Sequence, residues 1–436
     1  MSRKNPSPSR SIRVRATLCA LVILAAVVSL SPAFMRLNAL AQGDGAADDP
    51  GGIHPLAEFV RAVSLPVSDV IYNPADQTLY ASVPSSAGAA GNSIVPINPA
   101  TGATGAPVFV GSEPNKLALS DDGHTLYVAL DGSYNVRRFD TATRTSGLQF
   151  SITQDSLYGN YTANDLAVAP GNPNLLAVAR YNPGSSPPGV GVAVYDNGVQ
   201  RPKIGPGHIE GADFLAFSAT ASKLYGGGYY HGLRTMIIDA TGVASQSKTT
   251  FDVRARIKFA NGIIYSSGGQ VVNPETSTLL GTFSGVSTNA FAVDTAAGRA
   301  YYLGRDNFGS GSLTLKAFDL STYVPAGSAT LTGIVGEPTT MVRWGANGLA
   351  FRTDAGRLYL IQTSLIPSSE AIPSPTPFVS PTATPTPPPA PTFVRQIPLL
   401  TNDLIYSAQS GQLYASVPSA AGAGGNSVTR LNPETG

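Results

Sequence analysis

Four histidines, His54, His124, His208 and His231, are all the imidazoles this chain has. None stands at the H-x-x-x-H or H-E-x-x-H spacing that sets two imidazoles on one helix face to grip zinc. His208 has an acid two places on, Glu210 in "GPGHIEG". That pair could relay a proton in a cleft, but a loop histidine beside an acid ordinarily titrates in water. No G-x-S-x-G elbow is present, and the single cysteine, Cys19, falls in an apolar N-terminal run, so nucleophilic catalysis has no support. "GPGHIEG" and "GVGVAV" miss the phosphate-cradling G-x-G-x-x-G pattern. "SDDG" (120–123) lacks the alternating acids and closing glutamate of a calcium loop and reads as a hairpin turn. No catalytic residue, metal ligand set or cofactor is assigned.

One polar constellation survives as a ligand candidate: Asp69, Asn115, Lys116, Asn164, Asp165, Asp213, Arg256 and Asn289, with Glu113 and Glu337 just ahead of two of the runs. Each member leads into a short apolar run. Brought together, they form a mixed-sign ring able to hold a small polar ligand or a cation. Polar lining of a solvent-filled channel is the plainer role for any one of them.

A repeat supplies the elements that would gather these residues. An apolar run, a turn and a second run recur in "DVIYNPADQTLYASV" (69–83), "KLALSDDGHTLYVAL" (116–130), "DLAVAPGNPNLLAVA" (165–179), "FLAFSATASKLYGGG" (214–228), "IKFANGIIYSSG" (257–268), "AFAVDTAAGRAYYLG" (290–304) and "MVRWGANGLAFRT" (341–353). Taking Leu79, Leu126, Leu175, Leu224, Ile264, Ala300 and Leu349 as equivalent, the unit recurs every 36 to 49 residues. Such a period with four short strands per unit is that of propeller blades. Most units then exit through an apolar residue followed by Asp or Asn, as in "INPATG" (97–102), "FDTAT" (139–143), "IDATG" (238–242), "VNPET" (272–276) and "FDLST" (318–322). There the short side chain can accept a backbone N–H and hold the turn, which explains these carboxylates structurally.

The seventh unit lacks this exit and runs into proline after three strands. At the other end, "FVRAVSLPVSD" (59–69) precedes the first unit where every other unit is preceded by an outer strand. Residues 59–66 are therefore expected to supply the missing fourth strand, joining the ends of the ring and removing its open edges. "LSDDGHTLYVALDGSYNVRRFDTAT" (119–143) resembles the YVTN-type repeat of the NHL, surface-layer and lactonase-like propellers. The resemblance implies an all-β, seven-bladed β-propeller over 53–363, a fold that hosts many functions.

The flanks set the address. A basic stretch at 3–15, the apolar "ATLCALVILAAVVSL" (16–30) and "ALA" at 39–41 read as a secretory signal over 1–41, the alternative being an uncleaved anchor through 16–35 as the chain's one membrane contact, followed by a short polar lead at 42–52. Six of the 28 Lys and Arg residues leave with it, so 22 remain against 27 Asp and Glu, a balance of −5. A nucleic-acid partner has no electrostatic support. Residues 364–392 form a Pro/Thr/Ser-rich linker, with ten prolines in the run 367–392, an extended spacer. Residues 393–436 repeat 59–102 without a gap at an offset of 334. They are expected to be the start of a second, truncated propeller, poorly ordered or loosely paired as a hairpin.

These features favour a secreted, cell-surface, non-enzymatic module of a multi-propeller protein, binding a protein, a polysaccharide or a small polar ligand. The alternative is a lactonase-like hydrolase in which a channel-mouth acid such as Asp165 or Asp213, or a histidine, activates water, with a metal assisting.

Overall fold

The computed structural model describes residues 59–366 and 397–433, apart from 153, 156–158, 229–231, 250–252, 254 and 306–311. The signal segment, the polar lead, the proline run 367–392, His54 and His231 lie outside the described residues. Seven four-stranded antiparallel sheets follow one another. Their first strands are Asp69–Asn73, Pro114–Leu119, Thr162–Ala169, Phe214–Phe217, Ile257–Ala260, Ala290–Asp294 and Pro338–Trp344. Six sheets are local meanders. The seventh takes its outer strand from the other end, Phe59–Val63 pairing antiparallel with Leu358–Gln362 from Phe59↔Gln362 to Val63↔Leu358. The ring is closed as the missing exit and the orphan N-terminal strand required.

Several second strands carry Leu followed by Tyr, as at Leu79-Tyr80, Leu126-Tyr127 and Leu224-Tyr225, and the pairing has a direct physical meaning. In a strand, successive side chains point to opposite faces, so the two residues serve different interfaces. Leu79 packs with Trp344, Leu358 and Leu360 of the last blade, while Tyr80 packs with Leu117, Leu126 and Phe139 of the second. Leu126 and Tyr127 split likewise between the first and third blades, and Leu224 and Tyr225 between the third and fifth. Seven apolar clusters result, one at each blade boundary. Second strands, covered on both faces, are almost wholly buried, as in Thr125–Leu130, whereas the outer strand Thr145–Ser151 is mostly exposed. At about 1.5–3 kcal/mol for each fully buried large apolar side chain, these boundaries dominate the stability of the ring.

The buried phenols reach across the same boundaries. Tyr127 donates its hydroxyl to the Pro173 carbonyl at 2.8 Å, Tyr225 to Glu275 Oε1 at 2.6 Å and Tyr302 to the Ser266 carbonyl at 2.9 Å. One equivalence needs correction. Leu175 lies in the cluster shared with the fourth blade, and it is Leu176 that faces the second. Leu176 pairs with Val168 as Leu126 pairs with Leu119, and with a period of two a one-residue slip reverses the face.

The exits are turns of the expected chemistry. Asn98 Oδ1 accepts the Ala100 and Thr101 amides, Asn273 Oδ1 those of Glu275 and Thr276, and Asp319 Oδ1 those of Ser321 and Thr322. Side-chain and backbone donors hold the Asp239 and Asp319 carboxyls well below the usual range. "SDDG" is the hairpin turn anticipated: Asp122 Oδ1 accepts the His124 amide at 2.9 Å, and Gly123 has φ of +75°. Gly123 also receives the neighbouring blade, its carbonyl accepting from Asn73 Nδ2 at 2.9 Å. A Cβ there would stand 2.4 Å from Asn73 Oδ1.

Residues 403–431 form a three-stranded sheet in place of the expected hairpin. Its register, Asp403↔Ser416 and Leu413↔Leu431, repeats Asp69↔Ser82 and Leu79↔Ile97 of the first blade. Three strands satisfy more backbone than a hairpin can and need not await neighbours. The apolar positions of this sheet are exposed where those of the first blade are buried: Leu404 is 52% and Val428 70% exposed, against 2% and 0% for Val70 and Ile94.

Candidate functional site at the channel mouth

Residues that enter the first strands of successive blades converge on one cavity of about 230 Å³. Of the eight anticipated residues, Asp69, Lys116, Asp165, Arg256 and Asn289 line it. Three do not. Asn115 turns into its own blade, its Nδ2 donating to Asp131 Oδ2 at 2.6 Å. Asn164 spans to the next blade, donating to the Asp213 carbonyl at 2.8 Å. Asp213 itself is absent from the lining. A strand entrance offers two faces, and residues one place out of phase with the cavity turn away from it.

Both lining carboxylates also fasten blades. Asp69 Oδ2 accepts the Leu117 amide at 3.1 Å, and Asp165 Oδ2 accepts the Leu215 amide at 2.8 Å. Each acid thus sits on one blade and caps the first strand of the following one. Burial pushes the Asp165 carboxyl up, against the pull of the Leu215 amide and of Arg256.

The sequence reading missed Lys258. It stands two residues beyond Arg256, so alternation sends both side chains to the channel. The signal was present in "RARIKF", where a basic residue recurs at every second place. Lys258 Nζ crosses to the seventh blade and donates to the Met341 carbonyl at 3.1 Å, passing over the Phe291 ring at 5.2 Å from its centroid. Burial, and then the Arg256 charge, bring its pKa from 10.5 down to about 8, with Asp69 and Asp165 opposing. The Arg256 guanidinium lies 4.5 Å from the centroid of Phe214, and its Nε is buried with no hydrogen-bond partner.

Elsewhere the chemistry is weaker. His208 and Glu210 occupy an exposed 3-10 turn, and His208 Nδ1 meets the Pro187 carbonyl at 3.1 Å. A larger open depression of about 530 Å³ lies at the opposite ends of the strands, among Tyr72, Asp76, Asn98, Arg144 and Trp344. Asn98 and Asp76 are engaged there in turn and tyrosine hydrogen bonds, whereas the channel gathers three cations and two carboxylates. Among the described residues no three His, Cys, Asp or Glu side chains cluster as a metal site would require.

Consecutive four-stranded sheets ringed around one cavity point to a known architecture. Among solved structures, the chain is similar to the β-propeller domain of Cps50 (Swd1) from Myceliophteria thermophila, with a TM-score of 0.55 and 13% identity over 70% of this chain and 100% of that one. The fold is a β-propeller. No family profile and no curated protein matches the chain. At that identity the propeller likeness speaks to architecture alone.

Proposed function

We propose that this β-propeller is a non-enzymatic binding module of the YVTN type, secreted and displayed at the cell surface, whose channel mouth holds a small polar ligand. The observation that carries the reading is the convergence of Asp69, Lys116, Asp165, Arg256 and Lys258 on one cavity whose two acids are tied to backbone amides. Acids so fastened are poor at shuttling protons but well suited to holding a polar wall in shape. The repeat of the first blade after a proline-rich spacer supports a multi-propeller parent, in which spacing and repetition raise avidity without new contacts. The test is calorimetric titration of the purified chain with small organic ions and with surface polysaccharide fragments. Binding that survives in Arg256→Gln and Lys258→Met variants would remove the channel from the reading.

A hydrolase reading draws on Asp165, whose carboxyl burial pushes up within a cavity that also holds Lys258. It requires lactone or ester turnover that Asp165→Asn abolishes. The amide oxygen still accepts from Leu215, so the variant keeps its blade fastening, and undiminished turnover would rule the carboxylate out.

A further inference from the structure

We infer that the channel mouth selects a small organic anion, a carboxylate on a flat apolar body, received by Arg256 and Lys258. This rests on the channel being the binding site and names the class of ligand it takes. Three cations, Lys116, Arg256 and Lys258, face the cavity against two carboxylates, Asp69 and Asp165. Each carboxylate has spent one oxygen on a backbone amide of the next blade, at 3.1 and 2.8 Å. The cations retain donors: the Arg256 Nε is buried without a partner, and the hydrogen bond of Lys258 to the Met341 carbonyl uses one of an ammonium's three. A buried donor without an acceptor is costly, and a ligand oxygen that supplies the acceptor recovers that cost on binding. Carboxylates meet guanidinium and ammonium groups with short, charge-assisted hydrogen bonds.

The remaining lining sets the size and shape. Phe214 and Phe291 are the aromatic walls beneath Arg256 and Lys258 respectively, and Met341 and Val342 add apolar surface. A space of about 230 Å³ is smaller than a drug-sized pocket, which restricts the occupant to about one ring and its substituent. Arg256 and Lys258 stand on one strand edge, two residues apart, so both reach the same end of such a molecule.

The experiment titrates the full chain near neutral pH with three molecules of one shape and different charge: benzoate, benzamide and benzamidine. Benzoate should bind at least about tenfold more tightly than benzamide, the difference a charge-assisted pair provides, with benzamidine weakest. Arg256→Gln and Lys258→Met should each bring benzoate to the level of benzamide. Lys116→Met, which removes the third lining cation, serves if either variant melts early. Equal binding of benzoate and benzamide, or tightest binding of benzamidine, overturns the anion class while leaving the channel as a binding site. No binding of any of the three at millimolar concentration overturns the inference, and the polysaccharide titration then decides the broader reading by itself.

Discussion

Replacing Lys258 by methionine should stabilise the protein at neutral pH and destabilise it at high pH. The fold lowers the lysine's pKa from 10.5 to about 8, and at 1.36 kcal/mol for each tenfold change in proton affinity, holding the charge costs roughly 3 kcal/mol. Methionine keeps the unbranched stem and removes that cost, but strands the Met341 carbonyl that Lys258 now satisfies at 3.1 Å, a loss of roughly 1–2 kcal/mol. The net gain near pH 7 is about 1–2 kcal/mol, or a few degrees in Tm. Between pH 8 and 10.5 the unfolded chain binds this proton more strongly than the folded one. Wild-type stability from this group therefore rises through that window, and Lys258→Met lacks the rise. The gap should shrink above pH 8, change sign at about pH 9 and be fully reversed by 10.5. Urea unfolding of both proteins across this range measures it. Arg256, Asp69 and Asp165 are the charges that act on the ammonium, and repeating the comparison in an Asp165→Asn background separates the lysine from the acid whose carboxyl burial also shifts. A loss of more than about 2 kcal/mol at pH 7, with a gap indifferent to pH, would refute the reasoning.

Val63→Asp should open the ring. Val63 is buried against the first and last blades, and an unpaired buried carboxylate there should cost about 3 kcal/mol or more, with a red shift in the fluorescence of Trp344, the single tryptophan of the chain and a member of the same cluster; unchanged emission and Tm would mean that the strand does not close the ring. Tyr302→Phe should cost about 1 kcal/mol, the buried hydrogen bond to the Ser266 carbonyl, which keeps the Gly269 amide at 3.0 Å. Tyr225→Phe should cost less, since its partner Glu275 reaches solvent, and thermal melts that rank the two in the opposite order would contradict this account of the boundaries. Gly123→Ala should lower Tm measurably, because φ of +75° and the approach of Asn73 both reject a Cβ; a melt matching wild type would show that the turn can relax.

The parts legible in the sequence are those governed by the two-residue period. The seven units and all but one of their equivalent positions followed from it, and the orphan strand expected within 59–66 could be matched to the blade that lacked one. The third blade resisted because "NLLAVA" offers two adjacent leucines, and only pairing with Val168 decides that Leu176 takes the backward face. The cavity lining was legible at Asp69, Lys116, Asp165, Arg256 and Asn289. It was illegible at Asn115, Asn164 and Asp213, because strand entrances carry residues of both faces and sequence does not phase them. Lys258 was illegible for a related reason: it lies inside the strand, where the alternation that begins at Arg256 continues one step past the entrance. That both acids would fasten neighbouring blades had no local signal, since their partners Leu117 and Leu215 lie 48 and 50 residues away.

The most direct test of the central claim is a crystal structure of the full chain grown with benzoate. The account expects the carboxylate between Arg256 and Lys258, with the ring beside Phe214 or Phe291. Benzoate in the depression beside Trp344, with only water in the channel, would contradict it.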